Sequence, residues 1–125
     1  MKKMILDLDT GVDDALAISY ALGSPEVELI GITGTYGNVL MEQGVRNALA
    51  ITELLGHPEV KVYRGLDHSS TTDSFQVLEI SSFIHGQNGI GEAVIADSTR
   101  DAEDTPAVDF IIDAAKTYGK DLVYV

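Results

Sequence analysis

The stretch that decides the fold is MILDLDTGVDDAL, residues 4–16. Residues 4–8 are short and mostly apolar, which is typical of a strand buried on both faces of a parallel sheet. Thr10 and Gly11 are turn residues, and Gly11 is able to take a positive φ there. The apolar spacing that follows predicts a helix over residues 13–22. The chain therefore passes from a strand through a turn into a helix.

Four carboxylates lie within eight residues at this junction: Asp7, Asp9, Asp13 and Asp14. Alternation along the strand places Asp7 and Asp9 on the same side, and open α/β sheets bind ligands beyond the carboxyl ends of their strands. An Asp pair that opens a helix is usually a cap with a favourable dipole interaction. Adding Asp9 changes this interpretation, because clustered anions repel one another unless a hard divalent cation with oxygen ligands draws them together. We therefore predict a metal site.

The segment DLDTGVDDALAI, residues 7–18, resembles the amino-terminal signature of the inosine-uridine-preferring nucleoside hydrolases, usually written DxDPGxDDAxA. Further stretches agree with the family in order and spacing: ITGTYGNV at 32–39, RNALAITELLG at 46–56, IHGQNGIGEA at 84–93, AVDFII at 107–112 and DLVYV at 121–125. The resemblance spans the whole chain. It implies a Rossmann-like α/β fold with an open, mainly parallel sheet and helices on both faces, residues 1–125 being the amino-terminal part of a single domain.

The resemblance also implies a role for each acidic residue. Asp9 and Asp14 match two calcium ligands of the family, and Ca²⁺ prefers six to eight oxygen ligands. Asp13 matches the general base that takes a proton from a metal-bound water, and it is expected to face the substrate. Asp7 is expected in the second shell of the metal, where it would orient the turn. Thr10 replaces the proline of the family signature.

Two further positions are implied as substrate contacts. Asn38 matches a residue that hydrogen-bonds the ribose hydroxyls, although an Asn after Gly37 is on local grounds an ordinary turn residue. His85 precedes a glycine, as turn residues often do, but the family places this segment near the mouth of the pocket. The implied reaction is calcium-dependent hydrolysis of the N-glycosidic bond of ribonucleosides to ribose and free base. The family takes further metal and catalytic groups from residues later than those present here, so residues 1–125 alone are expected to be inactive or nearly so.

The remaining pattern predicts alternating strands and helices. Predicted strands cover residues 27–33, 60–63 and 121–125, and predicted helices cover residues 41–55, 75–84 and 107–118. This order of elements implies a parallel sheet with right-handed crossovers. The predicted core includes Leu22, Ile51, Leu54 and Leu55.

Composition limits the partners. The net charge is −12, from 20 acidic and 8 basic residues among 125, which argues against nucleic acid and against anionic membranes as partners. There is no cysteine, so disulfides, thiolate zinc sites and cysteine nucleophiles are excluded. The apolar run in the first residues, MKKMILDLD, is too short for a signal peptide and is interrupted by Asp7. A cytoplasmic location is therefore expected. The family implies a homo-oligomer for the complete protein.

Three alternatives remain at this point. A haloacid-dehalogenase-like phosphatase also has two aspartates after its first strand, as in Asp7 and Asp9, but it then requires Gly-Thr where this chain has Thr-Gly. A receiver domain requires an Asp at the end of its third strand, where Arg64 stands. The third alternative is a non-catalytic fragment that binds metal or ribose, or that serves in assembly.

Overall fold

The computed structural model describes all 125 residues of the chain. The elements in chain order are β1 (Lys2–Leu8), α1 (Val12–Gly23), β2 (Val27–Gly34), α2 (Met41–Leu54), β3 (Lys61–Arg64), α3 (Glu79–His85), α4 (Ala107–Tyr118) and β4 (Leu122–Tyr124), with a 3₁₀ turn at Gly119–Asp121 before the last strand. The predicted elements are all present. The largest difference is α3, which begins at Glu79 rather than at residue 75. None of the helices combines the length and apolar character that crossing a bilayer requires.

The four strands form one parallel sheet in the order β3-β2-β1-β4. The first three strands add in one direction and β4 joins the opposite side of β1. The strand order therefore reverses beside β1, and such a reversal is where open α/β sheets bind their ligands. Leu8, the last residue of β1, pairs with Gly34, the last residue of β2, so the two strands end level with each other.

Helices cover both faces of this sheet, as predicted. Two glycines of β2 show it, because alternate residues of a strand point to opposite faces. A Cβ at Gly31 would meet the ring of Phe110 on α4, and a Cβ at Gly34 would meet Val45 on α2. The Phe110 ring also stacks on Tyr63, with 3.8 Å between the ring centroids. The α/β fold with an open parallel sheet is therefore confirmed.

The core lies mainly between the sheet and α1 and α2. Its largest fully buried apolar side chains are Ile18, Ile32, Val45 and Val62. Of the four predicted core residues, Ile51 is buried and Leu22 packs against the core from a partly buried position. The prediction was wrong for Leu54 and Leu55, which are 66% and 42% exposed. Leu54 is the last residue of α2 and Leu55 caps it, so both lie at the carboxyl end of the helix.

Candidate active site

The acidic turn connects β1 to α1 at the carboxyl edge of the sheet. Asp7 is the next-to-last residue of β1, and its carboxylate accepts a hydrogen bond from Thr33 Oγ1 on β2 at 2.6 Å. Its backbone N–H donates to the carbonyl of Val125 at 2.7 Å. Burial raises the pKa of Tyr124, and the charge of Asp7 beside it acts in the same direction. Asp7 therefore ties β1 to β2 through its side chain and to the end of the chain after β4 through its backbone, and its place in the second shell of a metal stays a prediction.

Asp9 is half-buried and is held by the loop that follows β2. The backbone N–H of Asn38 donates to Asp9 Oδ2 at 2.8 Å. Gly37 makes this approach feasible, since a Cβ at that position would overlap the Asp9 carboxylate. The sequence-predicted residues Asp9 and Asn38 are thus brought together, with the backbone of Asn38 making the contact and its side-chain amide remaining available for other partners.

The two aspartates at the start of α1 have different surroundings. Asp14 Oδ2 accepts the backbone N–H of Gly11 at 3.2 Å, which ties the first turn of the helix to the preceding turn. The pKa of Asp14 is raised to about 6: burial is the largest cause, the charges of Asp13 and Asp9 act in the same direction, and the Gly11 N–H opposes them. Asp13 points away from this pair, with 78% of its side chain exposed. One aspartate is therefore enclosed beside Asp9 and the other faces solvent.

The donor chemistry of this turn suits a hard divalent cation in part. Asp9 and Asp14 are adjacent half-buried carboxylates, and neither is among the residues that form ion pairs with Lys, Arg or His. The raised pKa of Asp14 reflects first the cost of burying its charge and then the charges of Asp13 and Asp9 beside it. No three Asp, Glu, His or Cys side chains converge on one point. The residues present thus fit as two carboxylate ligands, and a shell of six to eight oxygens needs further donors.

His85 ends α3 and rests on the acidic turn. Its Nδ1 accepts the backbone N–H of Val12 at 3.0 Å, and only 12% of its side chain is exposed. Asp13 Oδ1 lies 3.9 Å from the same nitrogen. Gly11 lies under the ring with a φ of −99°, so it does not use the positive φ that glycine allows. A glycine is needed there because a Cβ would come within 2.5 Å of His85 Nδ1.

One residue of this region was missed by the sequence analysis. Asn47 on α2 is only 3% exposed, and its side-chain amide donates to the carbonyl of Asn88 at 2.7 Å and to the carbonyl of Thr10 at 3.4 Å. It thereby connects α2, the acidic turn and the glycine-rich segment that follows His85. The signal in the sequence was a polar residue on the buried face of a helix, three residues after Gly44 and four before Ile51.

A cavity of about 610 Å³ opens next to the acidic turn, on the face of the sheet that α4 covers. Its walls include Asp7, Tyr36, Arg64, His68 and Tyr124. Asp9, Asp13 and Asp14 are not among its lining residues. The cavity therefore meets the acidic turn only at Asp7, and the two carboxylates suited to a metal lie outside it.

Comparisons with known proteins match this chain to one family. Residues 4–125 match the model of the family described as inosine-uridine preferring nucleoside hydrolase. A solved purine-preferring ribonucleoside hydrolase from Gardnerella vaginalis is 81% identical, with a TM-score of 0.97 over 98% of this chain and 39% of that one. Uridine nucleosidase 1 of Arabidopsis thaliana is 34% identical over 94% of this chain and 34% of its own length. The pyrimidine-specific ribonucleoside hydrolase RihB of Escherichia coli is 35% identical over 99% of this chain and 38% of its own. The chain thus spans little more than a third of each of these relatives.

Proposed function

Because this chain belongs to the inosine-uridine preferring nucleoside hydrolase family, we propose that it carries the metal-binding and water-activating part of a ribonucleoside N-glycosidase. The observation that carries the proposal is the pair formed by Asp9 and Asp14. These two carboxylates are half-buried, adjacent and without a cationic side chain, at the edge of the sheet where ligands bind. Family membership sets aside the phosphatase and receiver alternatives.

Asp9 and Asp14 are the proposed ligands of Ca²⁺. Bound there, the ion would lower the pKa of a water molecule and bind ribose hydroxyls, so that nucleophile and sugar are aligned. The chain holds these two carboxylates by backbone N–H groups, from Asn38 to Asp9 and from Gly11 to Asp14. Each carboxylate thus has one oxygen fixed in direction before any ligand arrives, which limits the ordering that binding requires.

Asp13 is the proposed general base. Its carboxylate is exposed, and His85 Nδ1 lies 3.9 Å away from it, beyond hydrogen-bond distance. Because Asp13 is next to Asp14 in the chain, it is available to take a proton from a water held beside Asp9 and Asp14. The side-chain amide of Asn38 is the proposed contact to the ribose, since the backbone of the same residue holds Asp9. Hydrolysis of an N-ribosidic bond passes through an oxocarbenium-like state that water attacks at the anomeric carbon.

The proposed substrate is a purine ribonucleoside. Relatives of this chain include both a purine-preferring and a pyrimidine-specific enzyme, so family membership does not decide the base. The 81% identity to the purine-preferring enzyme, against 35% to the pyrimidine-specific one, favours a purine. No residue described above is placed to protonate the leaving base. We therefore expect residues 1–125, assayed alone, to show little or no turnover.

The test is calorimetric titration of the purified chain with Ca²⁺, beside an Asp9→Ala, Asp14→Ala double variant. The matched control is an Asp73→Ala, Asp113→Ala double variant, which removes two exposed carboxylates and so the same charge. We expect binding by the wild type and the control and none by the site variant. Equal binding by all three proteins would mean that the ion is held elsewhere on this acidic surface, and the assignment of the ligands would be wrong.

Activity is tested separately with inosine, guanosine and uridine, by measuring free ribose. Release by the chain of more than the trace seen with an Asp13→Ala variant would contradict the expected inactivity of residues 1–125. Calcium binding without any release is the result that we expect of residues 1–125 alone, and a non-catalytic binding module would give the same result. Faster release from uridine than from inosine would overturn the proposed purine preference.

A further inference from the structure

The first turn of α1 depends on two side-chain hydrogen-bond acceptors, one within the helix and one from outside it. The first N–H groups of an α-helix have no partner within it. In this chain the N–H of Gly11 is satisfied by Asp14, and the N–H of Val12 is satisfied by His85 Nδ1, from a residue 73 positions away in the chain. Val12 immediately precedes the two aspartates. The contact from His85 is therefore the one long-range hydrogen bond at the start of the helix that carries them.

The ring of His85 is itself firmly seated. It packs on Gly11, which has no side chain to hold the ring away. Its backbone carbonyl accepts the N–H of Gly91 at 2.8 Å. Asn47 holds the segment between these residues through the carbonyl of Asn88. His85 is thus fixed by a buried side chain of α2 as well as by the turn that it contacts.

The chemistry of the contact fixes the state of the ring. A nitrogen that accepts an N–H carries no proton, so a neutral His85 has its proton on Nε2. The Nδ1 atom is then occupied by Val12 and cannot donate to Asp13, 3.9 Å away, while that bond exists. His85 and Asp13 are neighbours without forming a charged pair. The connection between them runs through the backbone of Val12.

We propose that His85 is a positioning residue, which sets the directions of the Asp13 and Asp14 carboxylates by accepting the N–H of Val12. This role differs from a substrate contact, because it operates before any ligand is bound and uses Nδ1. It rests on the proposed function only in its consequence for the metal. The hydrogen bond and its effect on the turn exist whether or not the chain binds calcium.

Two substitutions of His85 separate positioning from bulk packing. In His85→Asn the side-chain oxygen takes the place of Nδ1, whereas in His85→Gln the oxygen lies closer to the place of Nε2. His57→Gln is the matched control, since His57 lies far along the chain and pairs only with Glu59. The wild type should show a ¹⁵N–¹⁵N coupling between Val12 N and His85 Nδ1 by NMR. A hydrogen bond of ordinary net strength predicts amide exchange at Val12 about two- to tenfold faster in the Gln variant, and near the wild-type rate in the Asn variant.

The consequence for the acidic turn is read from the side-chain carboxyl ¹³C shifts of Asp13 and Asp14 and from the Ca²⁺ affinity. We expect both shifts to move and the affinity to fall about threefold or more in His85→Gln, with the Asn variant restoring them. The hydrogen bond from Val12 to His85 would be ruled out by absence of the coupling. It would also be ruled out if the Val12 amide exchanged at the same rate in the wild type, His85→Asn and His85→Gln. Faster exchange with unchanged carboxyl shifts would overturn the positioning role. If the wild type binds no Ca²⁺ but the shifts move, the proposed function has failed and the positioning of the turn stands.

Discussion

Replacing Gly11 by alanine places a methyl group where the ring of His85 lies. The new Cβ would be 2.5 Å from Nδ1 and 2.7 Å from Cε1, well inside normal contact distance. The backbone at Gly11 has φ −99° and ψ −169°, which alanine adopts without strain. The conflict is therefore one of space alone, and either the ring or the turn must move.

The expected loss follows from three contributions. Forcing an extra methyl group into a packed site costs about 1–3 kcal/mol. If the ring moves instead, the bond to Val12 is lost, at about 0.5–1.5 kcal/mol. Alanine also has less conformational freedom than glycine in the unfolded chain, which stabilises the folded state by about 0.4–1 kcal/mol. The net loss of unfolding free energy is then about 1–2 kcal/mol. For a chain of 125 residues this corresponds to a fall in Tm of about 4–8 °C.

Thermal and urea unfolding of Gly11→Ala measure this loss, with Gly23→Ala as the control. Gly23 ends α1, and a Cβ there would contact nothing within 4 Å, so that variant should match the wild type or gain about 0.5–1 kcal/mol. In a His85→Ala background the ring is gone, and Gly11→Ala should cost less than about 0.5 kcal/mol. An equal loss in both backgrounds would refute the reasoning, because the strain would then arise somewhere other than the ring.

Three further predictions concern the same turn. The buried hydroxyl of Thr10 has no hydrogen-bond partner, so Thr10→Val should raise the unfolding free energy by about 1 kcal/mol in urea titrations; a loss would show that a partner exists. Gly37→Ala should displace the carboxylate of Asp9 and weaken Ca²⁺ binding about tenfold or more by calorimetry, and unchanged affinity would contradict Asp9 as a ligand. The raised pKa of Asp14, about 6, means that the unfolded chain releases this proton first, so stability without metal falls as pH rises from about 4 to about 6. Asp14→Asn should abolish that slope in unfolding measured across this range, and an unchanged slope would assign it to another group.

Much of the fold was predictable because its signals are local. The apolar runs, the helix periods and the glycines and prolines between them predicted the order of strands and helices, and the alternation of the two types predicted a parallel sheet. Where the prediction failed, the cause was tertiary. Leu54 and Leu55 continue the apolar pattern of α2, yet they are exposed at its carboxyl end. Periodicity shows which face of a helix is apolar and not where the neighbouring element ends.

The site was predictable in its residue types but not in its contacts. The density of acidic residues indicated a metal site, and the family resemblance implied the separate roles of Asp9, Asp13 and Asp14. No local pattern indicated that Asn47 joins the turn to the segment after His85, because that contact joins residues 41 positions apart. Gly11 shows the same limit. A glycine in a turn suggests a positive φ, whereas here it is required by a ring that arrives from 74 residues further along the chain.

The contacts of the four aspartates explain how the folded chain tolerates so many carboxylates together. Asp7 accepts a hydrogen bond from the hydroxyl of Thr33, while Asp9 and Asp14 each accept one from a backbone N–H. Hydrogen bonds to a carboxylate favour its charged form, so these donors offset part of the repulsion. They do not offset all of the cost, because burial and then the neighbouring charges keep the pKa of Asp14 raised. Asp13 receives no such donor and is the exposed member. A purely structural cap would need only Asp14 and its bond to Gly11. The repulsion between Asp14 and Asp9 destabilises the folded chain, and a divalent cation between the two carboxylates would remove it.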